Sequence, residues 1–250
     1  MVGVLDAYRS NVYSQNGEDG VIAEILKRLD IRQDWFCEFG AWDGRYGSNS
    51  YKLLRDGWKG VMIEGDPSRF QRLMDLARKW PSHLVAMEAF VETDHDSPRS
   101  LDNLLATTPI PKDFAVISID IDSWDYQVWQ SLTNYRPKIV IIEVESSFPP
   151  DVDHIYPGSG LFTSFASMVK LGKAKGYTPV VHTGNIIFVV DELVGRLGLP
   201  PEELAHPERL YCDEWLSVTP WKDFRRRLKN ITWQRLVIKL DNAVHERLRK

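Results

Sequence analysis

Between Asn16 and Leu29 the apolar residues Val21, Ile22, Ile25, Leu26 and Leu29 recur at three- and four-residue steps, which predicts one buried helix face. Trp35-Phe36-Cys37-Glu38-Phe39-Gly40 follows as a short buried strand that stops at glycine. A helix is expected from about Ser48 to Arg55, closed by Gly57. Gly60 to Glu64 is the next strand and ends in an acid, and Asp66-Pro67-Ser68 opens a helix to about Lys79. His83 to Met87 predicts a third strand, and Leu101 to Leu105 a short helix. Phe114 to Asp120 reads as a central strand, again ending in an acid, with a helix from Trp124 to Leu132 behind it. Lys138 to Val144 is the fifth strand; a Pro/Gly-rich loop, Ser146 to Gly160, leads to a helix at about Phe162 to Lys175. Tyr177 to His182 and Ile186 to Val190 flank Thr183-Gly184-Asn185 as a hairpin.

Five strands alternating with helices imply a parallel sheet, to which the hairpin adds an antiparallel strand. The fold class expected is therefore α/β and Rossmann-like, a mostly parallel seven-stranded sheet with an antiparallel terminal hairpin. It divides into a domain over 1–191, including an N-terminal helical lid, and a helical C-terminal extension over 192–250.

Composition changes this picture in one place. The net charge of -4 gives no reason to expect a nucleic-acid partner, yet it is unevenly spread. Lys222 to Lys250 hold ten Lys/Arg against three Asp/Glu, a local +7 that leaves -11 on the 221 residues before it. Phe224, Leu228, Ile231, Leu236, Leu240, Val244 and Leu248 recur there mostly at helical steps, so a basic amphipathic helix is expected. Its partner is an anionic molecule, a membrane surface or a second copy of the chain, the last making a homo-oligomer; a solvated helix face is the plainer alternative. Cys37 and Cys212 form no CxxC or disulfide pattern, and no signal peptide or transmembrane segment is evident, so a cytoplasmic location is expected.

The chemistry concentrates where strands end. Glu38-Phe-Gly40-Ala41-Trp-Asp43-Gly44 follows the first strand, with Ser48-Asn49-Ser50 beyond it. In open α/β sheets ligands bind outside the carboxyl ends of strands, where strand order reverses. Glycines there admit backbone N–H groups to a ligand, and the next helix N-terminus favours a carboxylate. Twenty residues beyond Gly44 stands Glu64, placed to accept hydrogen bonds from two ribose hydroxyls. A dinucleotide requires G-x-G-x-x-G because its pyrophosphate lies on the turn. Here the spacing is Gly40-x-x-x-Gly44, and Asp43 repels a pyrophosphate. A phosphate-free cofactor bearing an amine and a carboxylate, such as S-adenosylmethionine, suits the loop better, with Glu38 or Asp43 receiving its ammonium. The plainer alternative is a tight turn at Gly40 and Gly44 with Glu64 capping a helix.

Tyr13-Ser-Gln-Asn-Gly-Glu-Asp-Gly20, the Glu38–Gly44 loop, Gly57-Trp58-x-Gly60 and the strand ending at Glu64 resemble the FkbM-type class I S-adenosylmethionine-dependent methyltransferases. The resemblance spans roughly Tyr13 to Val190 and does not reach the basic tail. It implies O-methylation of sugars and natural products, cofactor roles for Glu38 and Glu64, and a position near the cofactor for Ser14 and Gln15. Asp120-Ile-Asp122 is also similar to the Asp-x-Asp of macrocin-type sugar O-methyltransferases. By that similarity Asp120 holds Mg2+ and Asp122 takes the hydroxyl proton. Further metal ligands there come from an adjacent acidic pair after the fifth strand. Here Glu143 and Glu145 are separated by Val144, although alternation along a strand keeps them on one face.

An alcohol attacks the sulfonium methyl poorly unless its proton leaves, and a base supplies roughly 10²–10⁴-fold. Asp122 is the expected base, with Asp120 beside it, and His154 in the loop after the fifth strand is the alternative. Asp151, Asp153 and Tyr156 offer contacts to a hydroxylated acceptor, and Trp42, Trp124 and Trp129 offer faces for a sugar or adenine. The expected activity is O-methylation of a sugar, surface-glycan precursor or natural product. N-methylation, a nicotinamide oxidoreductase, and a non-catalytic cofactor-binding scaffold acting through the basic tail are the alternatives.

Overall fold

A computed structural model describes residues 3–213; the basic tail helix and the oligomer contact expected of it lie outside the described residues. Seven strands form one sheet: β1 (Trp35–Phe39), β2 (Lys59–Glu64), β3 (Leu84–Glu88), β4 (Val116–Ile119), β5 (Ile139–Glu143), β6 (Tyr177–His182) and β7 (Asn185–Val190). Their order is β3-β2-β1-β4-β5-β7-β6. All neighbours pair in parallel except β7, which runs antiparallel to both β5 and β6. This is the expected α/β, Rossmann-like arrangement, a mostly parallel seven-stranded sheet with an antiparallel terminal hairpin.

Helices cover both faces. Alternation along β1 sends Phe36 to one side and Cys37 and Phe39 to the other. The first side packs on α1 (Glu18–Arg28), α2 (Tyr51–Arg55) and α3 (Pro67–Ala77) through Ile22, Leu54 and Leu73. The second packs on α4 (Leu101–Ala106), α5 (Asp125–Ser131) and α6 (Phe165–Ala174) through Leu105, Trp129 and Met168. Apart from the edge strand β3, the strands are buried on both faces, which is why they read as nearly unbroken apolar runs. Asp66 caps α3 by accepting from the N–H groups of Ser68 and Arg69, and Ser164 caps α6.

From 191 to 213 the described chain forms only short helices and turns, among them α7 (Asp191–Val194) and α8 (Pro201–Ala205). Leu197 and Leu199 nevertheless join the first core and Leu210 the second. His182, fully buried, fastens this segment. Its Nδ1 accepts the Cys212 N–H at 3.0 Å, so its hydrogen sits on Nε2, 3.3 Å from Ser146 Oγ. Burial holds its pKa down to about 3. Among the described residues no helix is long and apolar enough to cross a membrane.

Candidate functional site

Strand order reverses between β1 and β4, so their carboxyl ends flank a crevice. On the β1 side the chain turns at Gly40, whose φ of 74° is open to glycine. Trp42 follows in the same left-handed region (φ 51°), unusual for a bulky residue. Asp122, across the crevice, has φ 58°. Two of the three non-glycine residues with positive φ among those described thus stand on the two loops that bound the crevice. Such backbone costs about 1–3 kcal/mol per residue and clusters at functional sites.

Glu38 is 5% exposed, and its carboxylate organises the loop. Oε2 accepts the hydroxyls of Ser48 and Ser50, both at 2.6 Å, and Oε1 accepts the Asn49 N–H at 3.0 Å. Burial raises its pKa, opposed by these donors. Ser48 Oγ also accepts the N–H groups of Ser50 and Tyr51 at the start of α2, and Asn49 Nδ2 donates to Ser118 Oγ on β4. Asp43 Oδ1 closes the loop by accepting from the N–H groups of Arg45 and Tyr46. Ala41 is buried and its N–H reaches back to the Ile63 carbonyl. Gln15 lies over Gly47, its Nε2 2.6 Å from where a Cβ would sit there.

Glu64, also 5% exposed, ends β2 and grips the same loop. Its Oε2 accepts the Trp42 N–H at 2.7 Å and its Oε1 the Asp66 N–H at 2.8 Å. Trp42 itself is exposed, with the Arg69 guanidinium over its ring.

Carboxylates converge on the other side. Ligand atoms of Asp120, Asp122 and Glu143 all lie within 4.8 Å of one another. Asp125 stands beside them, holding the turn after β4 by accepting from the N–H groups of Ile121 and Ser123. Burial and the neighbouring acids push Asp120 up to about 7 and Glu143 up to about 9. Glu143 Oε2 is buried with no hydrogen-bond partner. Burial and mutual repulsion thus favour a proton held within the group near neutral pH.

Glu145 does not belong to this group, contrary to the expected metal set, and Asp122 takes its place. β5 ends at Glu143, so strand alternation no longer governs Glu145. Its residue bridges to Ser164 and its Oε1 accepts the Ser147 N–H within the following loop. His154 is likewise tied into that loop. Its Nε2 lies 3.0 Å from the Leu161 carbonyl, which can only accept, so that nitrogen carries the hydrogen. Phe148 packs on its ring at 4.7 Å.

The buried pair Glu18 and Asp19 had no role in the expected site. Asp19 Oδ2 accepts the N–H groups of Val12, Tyr13 and Ser14 and the Ser14 hydroxyl. Glu18 Oε1 accepts the Thr183 hydroxyl at 2.6 Å. The signal was present as the acid pair inside Tyr13–Gly20, but nothing local in sequence names its partners.

No protein-family model matches the sequence, and no curated protein matches it. Among solved structures it is similar to the CurJ carbon methyltransferase, with TM-score 0.47 and 11% identity over 74% of this chain and 56% of that one. It is similar to a SAM-dependent methyltransferase from Aquifex aeolicus, with TM-score 0.42 and 11% identity over 67% and 89% of the two chains. An O-methyltransferase family protein from Burkholderia thailandensis gives TM-score 0.44 and 8% identity over 67% and 53%. The chain thus spans little more than half the length of the first and last of these. Such likenesses concern the path of the chain alone.

Proposed function

We propose that the chain is an S-adenosylmethionine-dependent O-methyltransferase acting on a hydroxyl of a small acceptor, a sugar, surface-glycan precursor or natural product. One observation carries this reading. The strand-order crevice has a glycine turn and a β2-terminal carboxylate, Glu64, on one side and a cluster of carboxylates at the ends of β4 and β5 on the other. The first half suits an adenosine without phosphate. The second offers negative charge to a sulfonium and a proton acceptor to an alcohol.

In the proposed reaction the acceptor oxygen attacks the sulfonium methyl carbon in line. The carbon–oxygen bond forms as the carbon–sulfur bond breaks, its electron pair stays on sulfur, and S-adenosylhomocysteine leaves. Asp122, the exposed member of the cluster, takes the hydroxyl proton. Asp120, at the strand end, holds the hydroxyl. Glu38 acts by fixing Ser48 and Asn49, and Asp43 by fixing Arg45 and Tyr46, so that the path of the loop is set before the cofactor arrives. Gln15 closes the loop from above.

Asp120, Asp122 and Glu143 also fit a divalent cation, because the unpartnered Glu143 oxygen is a hard donor in a cluster of acids. Mg2+ bound there would lower the pKa of an acceptor hydroxyl.

Calorimetric titration with S-adenosylmethionine tests the cofactor, and transfer of a labelled methyl group to hydroxylated acceptors tests the reaction. Saturable binding with release of S-adenosylhomocysteine is expected. Absence of cofactor binding overturns the reading, and binding without turnover on any acceptor leaves a scaffold in its place.

A further inference from the structure

A cavity of about 210 Å³ lies between α1 and α2, and none of Glu64, Asp120, Asp122 or Glu143 lines it. Its walls are Ile22 and Leu26 of α1, Leu53 of α2, and Trp58. Asp19 and Asn49, only 2% and 3% exposed, line it as well. Each keeps one buried side-chain oxygen, Oδ1, with no hydrogen-bond partner. In Asp19 the imbalance is complete. Oδ2 accepts the N–H groups of Val12, Tyr13 and Ser14 and the Ser14 hydroxyl, and Oδ1 accepts nothing. Asn49 Nδ2 donates to Ser118 Oγ at 3.1 Å, which leaves its carbonyl oxygen as the free end. The cations among the lining residues are spent elsewhere: Lys27 pairs with Glu24, Arg32 with Asp30 and Lys52 with Asp56. Two buried acceptors in the lining of one cavity thus call for a donor that the chain itself does not supply.

We propose that this cavity binds a small primary amine with an apolar body, its ammonium toward Asp19 and Asn49 and its body along Ile22, Leu26, Leu53 and Trp58. An ammonium carries three donors and no acceptor, and so matches two unpartnered acceptors. Its charge offsets that of the buried Asp19 carboxylate, which a neutral alcohol cannot do. An anion meets only acceptors there. The apolar walls select a hydrocarbon body over a bare cation. Occupancy also reaches the crevice. Asp19 holds the loop that carries Ser14, and the Asn49 N–H is held by Glu38 at 3.0 Å. The amine and S-adenosylmethionine should therefore change each other's affinity by one common factor. That coupling, unlike the amine site, rests on the transferase reading above.

Calorimetry on the full chain with phenethylamine, 2-phenylethanol and phenylacetate tests the site. Phenethylamine should bind saturably, the alcohol roughly tenfold or more weaker, as for the loss of a charged hydrogen bond, and phenylacetate not at all. Asp19→Asn should weaken the amine by a similar factor. Because that change also touches the loop bonds of Asp19, Ala23→Phe is the second variant. Ala23 lines the cavity from the exposed side of α1, so a phenyl ring there fills the space, leaves the hydrogen bonds of Asp19 in place and should abolish binding. No phenethylamine binding leaves ordered water as the occupant and overturns the proposal. So does the alcohol bound as tightly as the amine, or amine binding unchanged in Ala23→Phe or in folded Asp19→Asn. An S-adenosylmethionine affinity that does not move at saturating phenethylamine overturns the coupling. A chain that binds the amine and no S-adenosylmethionine overturns the transferase reading instead, which keeps the failures distinct.

Discussion

Gly40 and Asp120 meet backbone to backbone across the strand-order reversal: a Cβ on residue 40 would lie 1.7 Å from the Asp120 carbonyl oxygen. The glycine therefore serves two demands at once, the positive φ of the turn and the close passage of the β4 end. Gly40→Ala should destabilise the fold by roughly 3 kcal/mol or more, combining left-handed strain with overpacking. Urea unfolding reads this directly, and an unchanged midpoint would show that the β1 and β4 ends are looser than described.

Glu64→Ala should weaken S-adenosylmethionine binding by about 1.5–3 kcal/mol, the range for hydrogen bonds to a charged group. Part of the loss will come through the loop, because Trp42 and Asp66 each lose an acceptor for their N–H. Calorimetry showing wild-type affinity in a folded variant would remove Glu64 from the cofactor site.

Asp122→Asn keeps size and removes basicity, so kcat should fall by ~10²-fold or more while cofactor affinity stays nearly constant. Asp120→Asn should instead weaken acceptor binding and, if Mg2+ acts there, abolish its effect on rate. Full activity in EDTA would discard the metal and keep the base. Near wild-type turnover in Asp122→Asn would discard the base and turn attention to His154, despite the bond from its Nε2 to Leu161.

The cluster also predicts how stability depends on pH. Asp120 and Glu143 titrate in the folded protein at about 7 and about 9, above their unfolded values, so the folded state binds more protons in between. Stability from these groups is full below the unfolded carboxylate range and is lost as pH rises toward 7 to 9. Glu143→Gln should therefore raise Tm at pH 8 and change it little at pH 4, by roughly 2–4 °C for each kcal/mol of burial cost and repulsion removed. A Tm gain equal at both pH values would mean that neither burial nor the neighbouring acids raise the Glu143 carboxyl.

Much of the fold was legible because burial on both faces writes a parallel strand as an apolar run, and each of the seven strands was located within a few residues. The described residues 191–213 were less so: short helices and turns lack periodicity, and the contacts of Leu197 and Leu210 with the two cores depend on tertiary position. Within the site, residues at strand ends such as Asp120 and Glu143 were legible because the period of two still holds there. Glu145 was misplaced because that period stops one residue earlier than expected. Glu38 was identified as important, but its donors, Ser48, Asn49 and Ser50, lie ten to twelve residues away on a loop whose path no local pattern specifies.

Glu18 reaches Thr183 across 165 positions of sequence, and Asn16 N–H donates to its other oxygen. The loop that carries Gln15 beside Gly47 is thus clasped by the last hairpin of the sheet. During synthesis that clasp has no counterpart until β6 and β7 have emerged, so the segment has only its local bonds to Asp19 and Glu18 while the rest is made. Its closure is then a late event in assembly. Pulsed hydrogen exchange should show the amides of Val12, Tyr13 and Ser14 protected only after those of β1 and β4, and Thr183→Val should slow that last phase or lower its protection while leaving the earlier ones alone.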